Sequence, residues 1–349
     1  MLMIAAEGKN DLFIRDFIPK VSRTFALAIK FLPRALRDSV FTSYLLCRVA
    51  DTLEDSPFLE ADEKAKRLIQ LSTVLDRASQ GRRFSKSEIS HLRDSIDPRS
   101  GEDHRLLAQS SKLFDILETL PATHKPIIYR WAGVMAGGMA EYTRLNYIDG
   151  ENIGALKDVE DWDRYCYFVA GTVGHMLTEL FIEHYDFDIK RAAELSRLGN
   201  SFGLGLQKVN VIKDVPEDRK RGVCYLPLDM MARHGLKPSL LRDGLKSTGV
   251  KSLVEELLNN ATAHLDDAIS YTALIPHGYR GLRMFLLVPV FLAVETLNLI
   301  MEKPAQSMAG PPVKLDQRDV SRVVRAVALR ASANKSINEY YRKISSRKR

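Results

Sequence analysis

Apolar side chains recur at spacings of three and four residues through nearly the whole chain, while the alternation typical of strands is scarce. This period is that of the α-helix, so the sequence predicts an all-α protein. The predicted helices cover residues 21–32, 35–55, 60–79, 104–119, 122–146, 160–184, 189–215, 250–274, 280–302 and 316–344. Between them we expect loops at 80–102 and 302–312, and short elements with turns at 226–247.

Glycines cluster in three of these predicted helices, around 133–142, 169–175 and 199–205. They are weak candidates for a nucleotide-binding loop, because no strand precedes them and the full dinucleotide fingerprint is missing. Small residues in a helix instead let another backbone or a bulky ligand approach closely. We therefore expect three smooth helix faces that leave room for a long apolar chain.

The composition permits a large core, since 45% of the 349 residues are hydrophobic. The net charge of +7, from 51 basic and 44 acidic residues, suits anionic ligands or an acidic membrane surface. By itself it does not indicate nucleic acid, and we expect no such partner. Cys47, Cys166 and Cys224 are odd in number and far apart, which favours core packing in a reducing compartment over disulfides or a zinc site.

The N-terminus lacks the basic region and apolar run of a secretory signal. The longest apolar stretch, 284–300, is short for a membrane span and is interrupted by Pro289 and Glu295. We interpret it as a buried helix that lines an apolar pocket. A cytoplasmic protein without an anchor is expected, and the basic tail at 342–349 is either solvated or in peripheral contact with anionic lipid.

An acidic cluster closes an otherwise apolar segment in C-R-V-A-D-T-L-E-D, residues 47–55. If this segment is helical, Asp51 and Asp55 share one face and Glu54 lies beside them. A solvated helix end is one interpretation. Three carboxylates at a helix C-terminus oppose the macrodipole, however, and a cation such as Mg2+, which takes oxygen ligands, would compensate them.

A second acidic row occurs in N-V-I-K-D-V-P-E-D, where Asn210, Asp214 and Asp218 are spaced by four. Pro216 interrupts this row, because proline inside a helix removes a hydrogen bond and clashes with the preceding turn. Either a kink carries Asp218 toward the metal, or the helix ends near Val215 and Asp218 contributes more loosely. Two acidic rows on two helices, facing across a cavity, would hold Mg2+ ions and bind diphosphate.

The basic side chains near these rows are Arg23, Arg48, Lys213 and the run Arg219–Arg221. Arg48 precedes Asp51 by three residues and so shares its face, where it could bind phosphate oxygens in a bidentate manner. The run before Gly222 is either a solvated turn or a phosphate contact. Tyr165, a polar tip within an apolar helix, is either a structural hydrogen-bonding group or a proton relay near a diphosphate.

Five stretches together carry a resemblance: V-S-R-T-F (21–25), Y-L-L-C-R-V-A-D-T-L-E-D (44–55), Y-C-Y-F-V-A-G-T-V-G (165–174), L-Q-K-V-N-V-I-K-D-V-P-E-D (206–218) and R-G-V-C-Y-L-P (221–227). The chain resembles the squalene and phytoene synthase family of head-to-head prenyl synthases. The resemblance implies a single-domain isoprenoid synthase helical bundle over residues 1–349, around a central apolar cavity. Its core would span 14–302, followed by a helical extension at 313–344.

The resemblance also implies roles for individual residues. Two prenyl diphosphates would bind with three Mg2+ ions, and Tyr165 would act in proton transfer. The implied metal ligands are Asp51, Glu54, Asp55, Asn210, Asp214 and Asp218, of which the four aspartates count as catalytic. The implied substrate contacts are Ser22, Arg23, Phe25, Tyr44, Arg48, Val173, Gln207, Lys213, Tyr271 and Phe285. Lys314 and Arg219 would bind NADPH.

The motifs point in two directions when they are used to choose a member of this family. G-G-M-A-E-Y (137–142) and the C-terminal extension resemble squalene synthases, which use farnesyl diphosphate and NADPH. The stretch at 214–227 is closer to phytoene synthases, Lys213 stands where squalene synthases usually have Arg, and Asp316 replaces an expected basic residue. Squalene synthase is the leading hypothesis. The alternatives are a phytoene, dehydrosqualene or presqualene diphosphate synthase, or an inactive scaffold of the same fold. The oligomeric state is not indicated.

Overall fold

A computed structural model of the chain describes residues 13, 16–17, 27–94, 97–143, 156–220, 222–237 and 249–346. In this part of the chain helices dominate and no β-strand occurs, so the all-α prediction is confirmed. The helices are α1 Arg34–Asp55, α2 Ala61–Ser79, α3 Lys86–Ser90, α4 Glu102–Ala108, α5 Ser110–Leu117, α6 His124–Tyr142, α7 Val159–Cys166, α8 Thr172–His184, α9 Ile189–Lys220, α10 Leu228–Arg233, α11 Gly249–Leu274, α12 Arg280–Glu302, α13 Pro304–Ala309, α14 Gln317–Arg330 and α15 Asn334–Ser345. A π-helical turn, Tyr167–Gly171, connects α7 to α8, and 3-10 turns occur at His91–Arg93 and Pro98–Ser100.

Most predicted helices are confirmed to within a few residues, but two expected loops are partly helical. The segment 80–102 contains α3, because Ser85 and Glu88 form a capping box that starts a helical turn. The segment 302–312 contains α13, with Pro304 in its first turn, where a missing N–H breaks no helical bond. Parts of two further predicted helices, 21–32 and 122–146, lie outside the described residues.

Three long predicted helices are divided. The prediction for 104–119 is wrong at Gln109, which separates α4 from α5. The predicted helix 160–184 contains the π-helical turn. The C-terminal helix predicted at 316–344 is two helices, because Ala333 adopts an extended conformation between α14 and α15. No Gly or Pro marks the first and the third of these breaks in the sequence, so tertiary contacts override local propensity there.

The chain divides into two compact units. The first consists of residues 1–144 and 175–188, and the second of 145–174 and 189–349. In the first unit α2 packs along α6, and α1 packs against α2, α4, α5 and α6. In the second unit α9 packs against α11, α7 and the π-helical turn, while α12 packs against α11, α14 and α15. The acidic cluster of α1 therefore belongs to the first unit and the row on α9 to the second.

Helix α12 contains the apolar stretch predicted to be buried. Among the described residues it is the helix long and apolar enough to cross a membrane, with a mean hydropathy of 2.1 over its most apolar window. Yet 83% of that window is buried inside the protein. This burial is typical of the core helix of a folded domain, as the sequence predicts. The three cysteines are also free and buried, which confirms their core-packing interpretation.

A buried arginine on α12 forms hydrogen bonds with the C-terminal helices. Arg283 has no exposed surface, and burial lowers the pKa of its guanidinium. It donates hydrogen bonds to the carbonyl oxygens of Thr272, Ile275 and Ala331 and to the side chain of Asn334. Because these acceptors surround the guanidinium, they replace the water it loses on burial. Arg283 thus contacts Ala331 and Asn334, the residues on either side of the break between α14 and α15.

The glycines of the second unit lie where two helical backbones touch. A Cβ at Gly203 would lie 2.2 Å from the carbonyl oxygen of Ala170, and one at Gly174 would lie 2.1 Å from that of Gly199. In the first unit a Cβ at Gly137 would lie 2.9 Å from Ser72 Oγ. Close backbone approach, one of the two expected uses, is thus confirmed. The other expected use, room for a long apolar chain, stays a prediction.

We predict that Gly203→Ala lowers the free energy of unfolding by about 2–3 kcal/mol, because the added methyl group forces α9 away from the π-helical turn. Urea unfolding followed by circular dichroism measures this change. Gly278→Ala is the matched control, since a Cβ there meets no atom within 4 Å. Equal stability of the two variants would contradict the close contact.

Candidate active site

The first acidic cluster lies at the C-terminal end of α1, as predicted. Asp51 is partly buried, Glu54 is buried and Asp55, the last helical residue, is exposed. The helix has no basic residue in its last turn to offset the macrodipole. Arg48, one turn earlier, donates through Nη1 to Asp51 Oδ2 at 3.2 Å. The prediction that Arg48 shares a helix face with Asp51 is therefore confirmed.

The electrostatics of this cluster favour an added cation. Burial raises the pKa of Asp51 to about 6; Arg48 opposes this shift, while the neighbouring Asp55 and Asp103 add to it. For Arg48, burial would lower the pKa, but the carboxylates of Asp51 and Asp103 outweigh it and raise the pKa. A single guanidinium thus offsets only part of the negative charge. A divalent cation would hold Asp51 in its ionised form.

Asp103 is a residue of this cluster that the sequence analysis missed. It lies on α4, and its Oδ2 accepts a hydrogen bond of 2.7 Å from Arg48 Nη2. The guanidinium is therefore held between two carboxylates, one on its own helix and one 55 residues away in sequence. Tyr44, one turn before Arg48 on α1, is partly buried. No local pattern marks Asp103, because it falls where the sequence changes from predicted loop to predicted helix.

The second acidic row lies on one continuous helix. α9 runs through Pro216 to Lys220, so the alternative in which the helix ends near Val215 is wrong. It ends in a Schellman arrangement: Gly222 has φ of +80°, its N–H donates to Arg219 O, and Val223 N–H donates to Asp218 O. Asp218 therefore belongs to the helix.

The three members of this row differ in burial. Asn210 is exposed, Asp214 is partly exposed and Asp218 is 5% exposed. Lys213 Nζ lies 3.3 Å from Asn210 Oδ1 and 3.2 Å from Asp214 Oδ2. Like the cluster on α1, this row carries one basic side chain of its own.

The charge of Asp218 is felt by a nearby cysteine. Burial raises the pKa of Cys224 to about 12, a backbone N–H lowers it, and the charge of Asp218 raises it further.

A buried lysine just before this row is a second residue that the sequence analysis missed. Lys208 has no exposed surface, and its Nζ contacts Asp163 Oδ1 and Asn260 Oδ1 and lies 3.0 Å from His264 Nε2. It also lies over the ring of Trp162, 4.6 Å from the centroid. These contacts connect α9 to α7 and α11. Its position on the apolar face of α9, one turn after the buried Leu204, was the available sequence signal.

The hydrogen bonds around His264 determine its protonation. Ser201 Oγ lies 2.7 Å from both Asp267 Oδ2 and His264 Nδ1. Because an ionised carboxylate only accepts, the hydroxyl donates to Asp267, and Nδ1–H donates to the hydroxyl oxygen. Nε2 is then free of a proton and accepts from Lys208. Burial and the charge of Lys208 lower the pKa of His264, which agrees with a neutral ring.

Among the residues of the second unit that are predicted to contact substrate, the aromatic side chains are buried. Tyr165 is 5% exposed and stacks on Tyr225, with ring centroids 4.5 Å apart. Tyr271 is buried and meets Phe202 edge to face at 5.4 Å, and Phe285 is 4% exposed. Val173 and Gln207 are partly exposed. Four residues of the prediction, Ser22, Arg23, Phe25 and Arg221, lie outside the described residues.

The donor atoms of both rows suit Mg2+, because all are carboxylate or amide oxygens. In the described part of the chain, however, no three His, Cys, Asp or Glu side chains lie together closely enough to hold an ion alone. Mg2+ is commonly bound by one or two carboxylates together with water and phosphate oxygens. The residues therefore fit Mg2+ that arrives with a diphosphate better than a permanently bound ion.

Two cationic side chains, those of Lys314 and Arg219, are predicted to contact NADPH. Lys314 is exposed, and Arg219 donates from Nη2 to Ala309 O at 3.1 Å. They fit phosphate oxygens by charge. Asp316 contributes no positive charge; its Oδ1 accepts from the backbone N–H of Asp319 and caps α14.

Comparison with known proteins assigns the family. The family model described as squalene/phytoene synthase matches residues 18–321, across both units. The chain belongs to the squalene/phytoene synthase family. Both acidic rows and Tyr165 lie within the matched region. The resemblance stated from the sequence motifs is thereby confirmed.

The similar sequences found in this family include squalene synthases. The chain is 28% identical to squalene synthase ERG9 of Candida albicans over 309 residues, covering 85% of this chain and 64% of that protein. It is 30% identical to the squalene synthase of Rattus norvegicus over 288 residues, covering 80% and 61%. The chain thus spans 61–64% of the length of these relatives.

Among solved structures, TcSQS in complex with the ligand E5700 has a TM-score of 0.78 at 23% identity. The match covers 97% of this chain and 92% of that one. At this identity the likeness concerns the fold. The all-α helical fold of the isoprenoid synthases, which the resemblance implies, is therefore confirmed.

We predict that Lys208→Met lowers the free energy of unfolding by about 2 kcal/mol, because it leaves the polar atoms of Asn260 and His264 without their buried donor. Chemical unfolding measures the loss. Lys220→Met on the same helix is the control, since its ammonium group is largely exposed and pairs with the partly exposed Glu217. A loss in Lys208→Met no larger than in the control would show that the buried contacts add nothing.

Proposed function

We propose that this protein catalyses the Mg2+-dependent head-to-head condensation of two farnesyl diphosphates to presqualene diphosphate, followed by NADPH-dependent reduction to squalene. The observation that carries the proposal is the presence of both acidic rows, each with its own basic residue, in a chain that the family model matches over residues 18–321. Squalene synthases among its relatives support the choice of product.

In this proposal the carboxylates of both rows would hold Mg2+, which would supply positive charge to the diphosphate groups. The ligands are Asp51, Glu54, Asp55, Asn210, Asp214 and Asp218. Arg48 and Lys213 hold diphosphate oxygens, as do Arg23 and Ser22 near the N-terminus. Since Arg48 already donates to two carboxylates, its guanidinium is oriented before the substrate arrives.

The chemistry requires one diphosphate to leave and one proton to be lost. The allylic cation that remains adds to the double bond of the second substrate, and loss of a proton closes the cyclopropane ring of presqualene diphosphate. The hydroxyl of Tyr165 relays this proton toward the leaving group. The ring faces of Phe25, Tyr271 and Phe285 line the pocket and shield the cation. Tyr44, Val173 and Gln207 complete the substrate contacts.

A second candidate omits the reductive step. Asp316 is used as a helix cap beside Lys314, where a second cation would strengthen the contact with the phosphate of NADPH. This observation favours a synthase that releases presqualene diphosphate, dehydrosqualene or phytoene. We propose a cytoplasmic enzyme in either case, with contact to membranes limited to the surface.

Product analysis distinguishes these candidates. We expect radiolabelled farnesyl diphosphate to yield squalene in the presence of Mg2+ and NADPH, and presqualene diphosphate when NADPH is omitted. Accumulation of presqualene diphosphate or dehydrosqualene under both conditions would favour the second candidate. Consumption of geranylgeranyl diphosphate alone would overturn the assignment of substrate.

We predict that Asp51→Asn lowers turnover at least about a hundredfold, because it removes a carboxylate that binds the metal ion. The helical signal in circular dichroism should not change, since the amide has nearly the same shape. Asp76→Asn on α2 is the matched control, because Asp76 is exposed and its side chain accepts a local hydrogen bond from Gln80. Unchanged turnover in Asp51→Asn would remove this residue from the metal site.

Binding of a non-reactive diphosphate analogue tests whether the protein is an enzyme or an inactive scaffold of the same fold. We expect binding that requires Mg2+ and weakens in Asp51→Asn. A scaffold would have no need for either property, so the absence of Mg2+-dependent binding would favour that alternative.

A further inference from the structure

The guanidinium of Arg48 is shared unequally between two carboxylates of the first unit. Its Nη2 donates to Asp103 Oδ2 at 2.7 Å, whereas its Nη1 lies 3.2 Å from Asp51 Oδ2. Hydrogen bonds between a charged donor and a carboxylate are typically about 2.7–2.9 Å long. The bond to Asp103 has this length, and the contact with Asp51 is longer and therefore weaker. Asp103, on the separate helix α4, is thus the main partner of Arg48.

Stability alone does not account for this ion pair. The side chains of Arg48 and Asp103 are 26% and 39% exposed, and ion pairs with this much exposure contribute little to folding. Each partner also has a buried polar atom, Arg48 Nε and Asp103 Oδ1, that bonds to no described residue. Such atoms are unfavourable, because they lose water without gaining a partner. The pair therefore calls for a role in the site to which Arg48 and Asp51 belong.

Arg48 and a metal ion compete for the carboxylate of Asp51. A guanidinium that pairs fully with Asp51 neutralises it, so an ion has to displace that pair before it can bind. Arg48 also has donors for an anion: each Nη carries two N–H groups and gives one to a described carboxylate, which leaves two. The bond to Asp103 keeps the guanidinium beside Asp51 and weakens its hold on that carboxylate.

We propose that Asp103 is a positioning residue of the candidate active site, which prevents Arg48 from pairing fully with Asp51. The carboxylate of Asp51 then stays open to Mg2+, and the guanidinium stays open to the diphosphate that arrives with the ion. Asp103 touches neither ligand and acts through Arg48. The inference rests on the proposed function, because it requires Mg2+ and diphosphate to bind at this end of α1.

The contacts that hold α4 in place do not involve Asp103. Two leucines of α4 are buried, and Arg105 lies over the ring of Phe17, with its guanidinium carbon 4.3 Å from the centroid. Arg105 also donates to Asp16 Oδ2 at 2.7 Å. Asp103→Asn keeps the shape of the side chain and removes its charge. It should therefore leave the helix in place, while the guanidinium of Arg48 moves toward Asp51.

Calorimetric binding of farnesyl S-thiolodiphosphate, a non-reactive substrate analogue, at a series of Mg2+ concentrations tests the proposal. We expect Asp103→Asn to raise the half-saturating Mg2+ concentration about five- to tenfold, because the ion must now displace Arg48 from Asp51. Excess Mg2+ should restore binding to that of the unaltered protein, whereas damage to the fold would not be reversed. Asp97→Asn is the matched control: it removes the same charge from the same unit, where Asp97 pairs with Arg99, and should change nothing.

A double variant shows whether Asp103 acts through Arg48. In an Arg48→Gln background no guanidinium competes for Asp51, so adding Asp103→Asn should shift the half-saturating Mg2+ concentration by less than about twofold. The difference between the two backgrounds measures the coupling of the two residues. Asp103→Ser, which also removes the charge, takes the place of Asp103→Asn should the amide variant fail to fold.

Three results would overturn the inference and leave the proposed function intact. The first is a half-saturating Mg2+ concentration in Asp103→Asn equal to that of Asp97→Asn. The second is a loss of binding that excess Mg2+ does not restore. The third is a shift of the same size with and without Arg48, which would mean that the charge of Asp103 acts on the ion directly. Absence of Mg2+-dependent binding in the unaltered protein would instead overturn the proposed function, and this inference with it.

Discussion

Repulsion between carboxylates held on one helix is the constraint on which each of the two acidic rows depends. Helical spacing brings Asp51 and Asp55 onto one face, and it spaces Asp214 and Asp218 in the same way. Each group includes one basic residue, Arg48 or Lys213, that contacts its carboxylates. One monovalent cation offsets part of this charge and leaves the rest for a divalent ion. The same basic residue can interact with the anion that such an ion brings, so each row is suited to a metal and a diphosphate together.

Such repulsion would distort a weakly held helix, and the structure shows what holds each one. On α1, Asp103 anchors the far side of Arg48 from a separate helix. On α9, Lys208 is bound in the interior two residues before Asn210, and Gly203 lies against the backbone at Ala170. These contacts fix the rotation and position of the helix, and hence the directions in which the acidic side chains point. The functional residues are local in sequence, whereas their supports come from distant segments.

This difference between local spacing and long-range packing explains which features could be predicted from the sequence. Spacing within a helix is a local property, so the shared face of Arg48 and Asp51 followed from counting residues. At Pro216 the sequence allowed a helix that continues or one that ends near Val215. The result depends on whether tertiary contacts and the turn at Gly222 compensate the lost hydrogen bond. Asp103 could not be recognised, since only packing brings it to Arg48. The glycines left two uses open, because the sequence reveals a small side chain but not which backbone lies against it, as that of Ala170 does at Gly203.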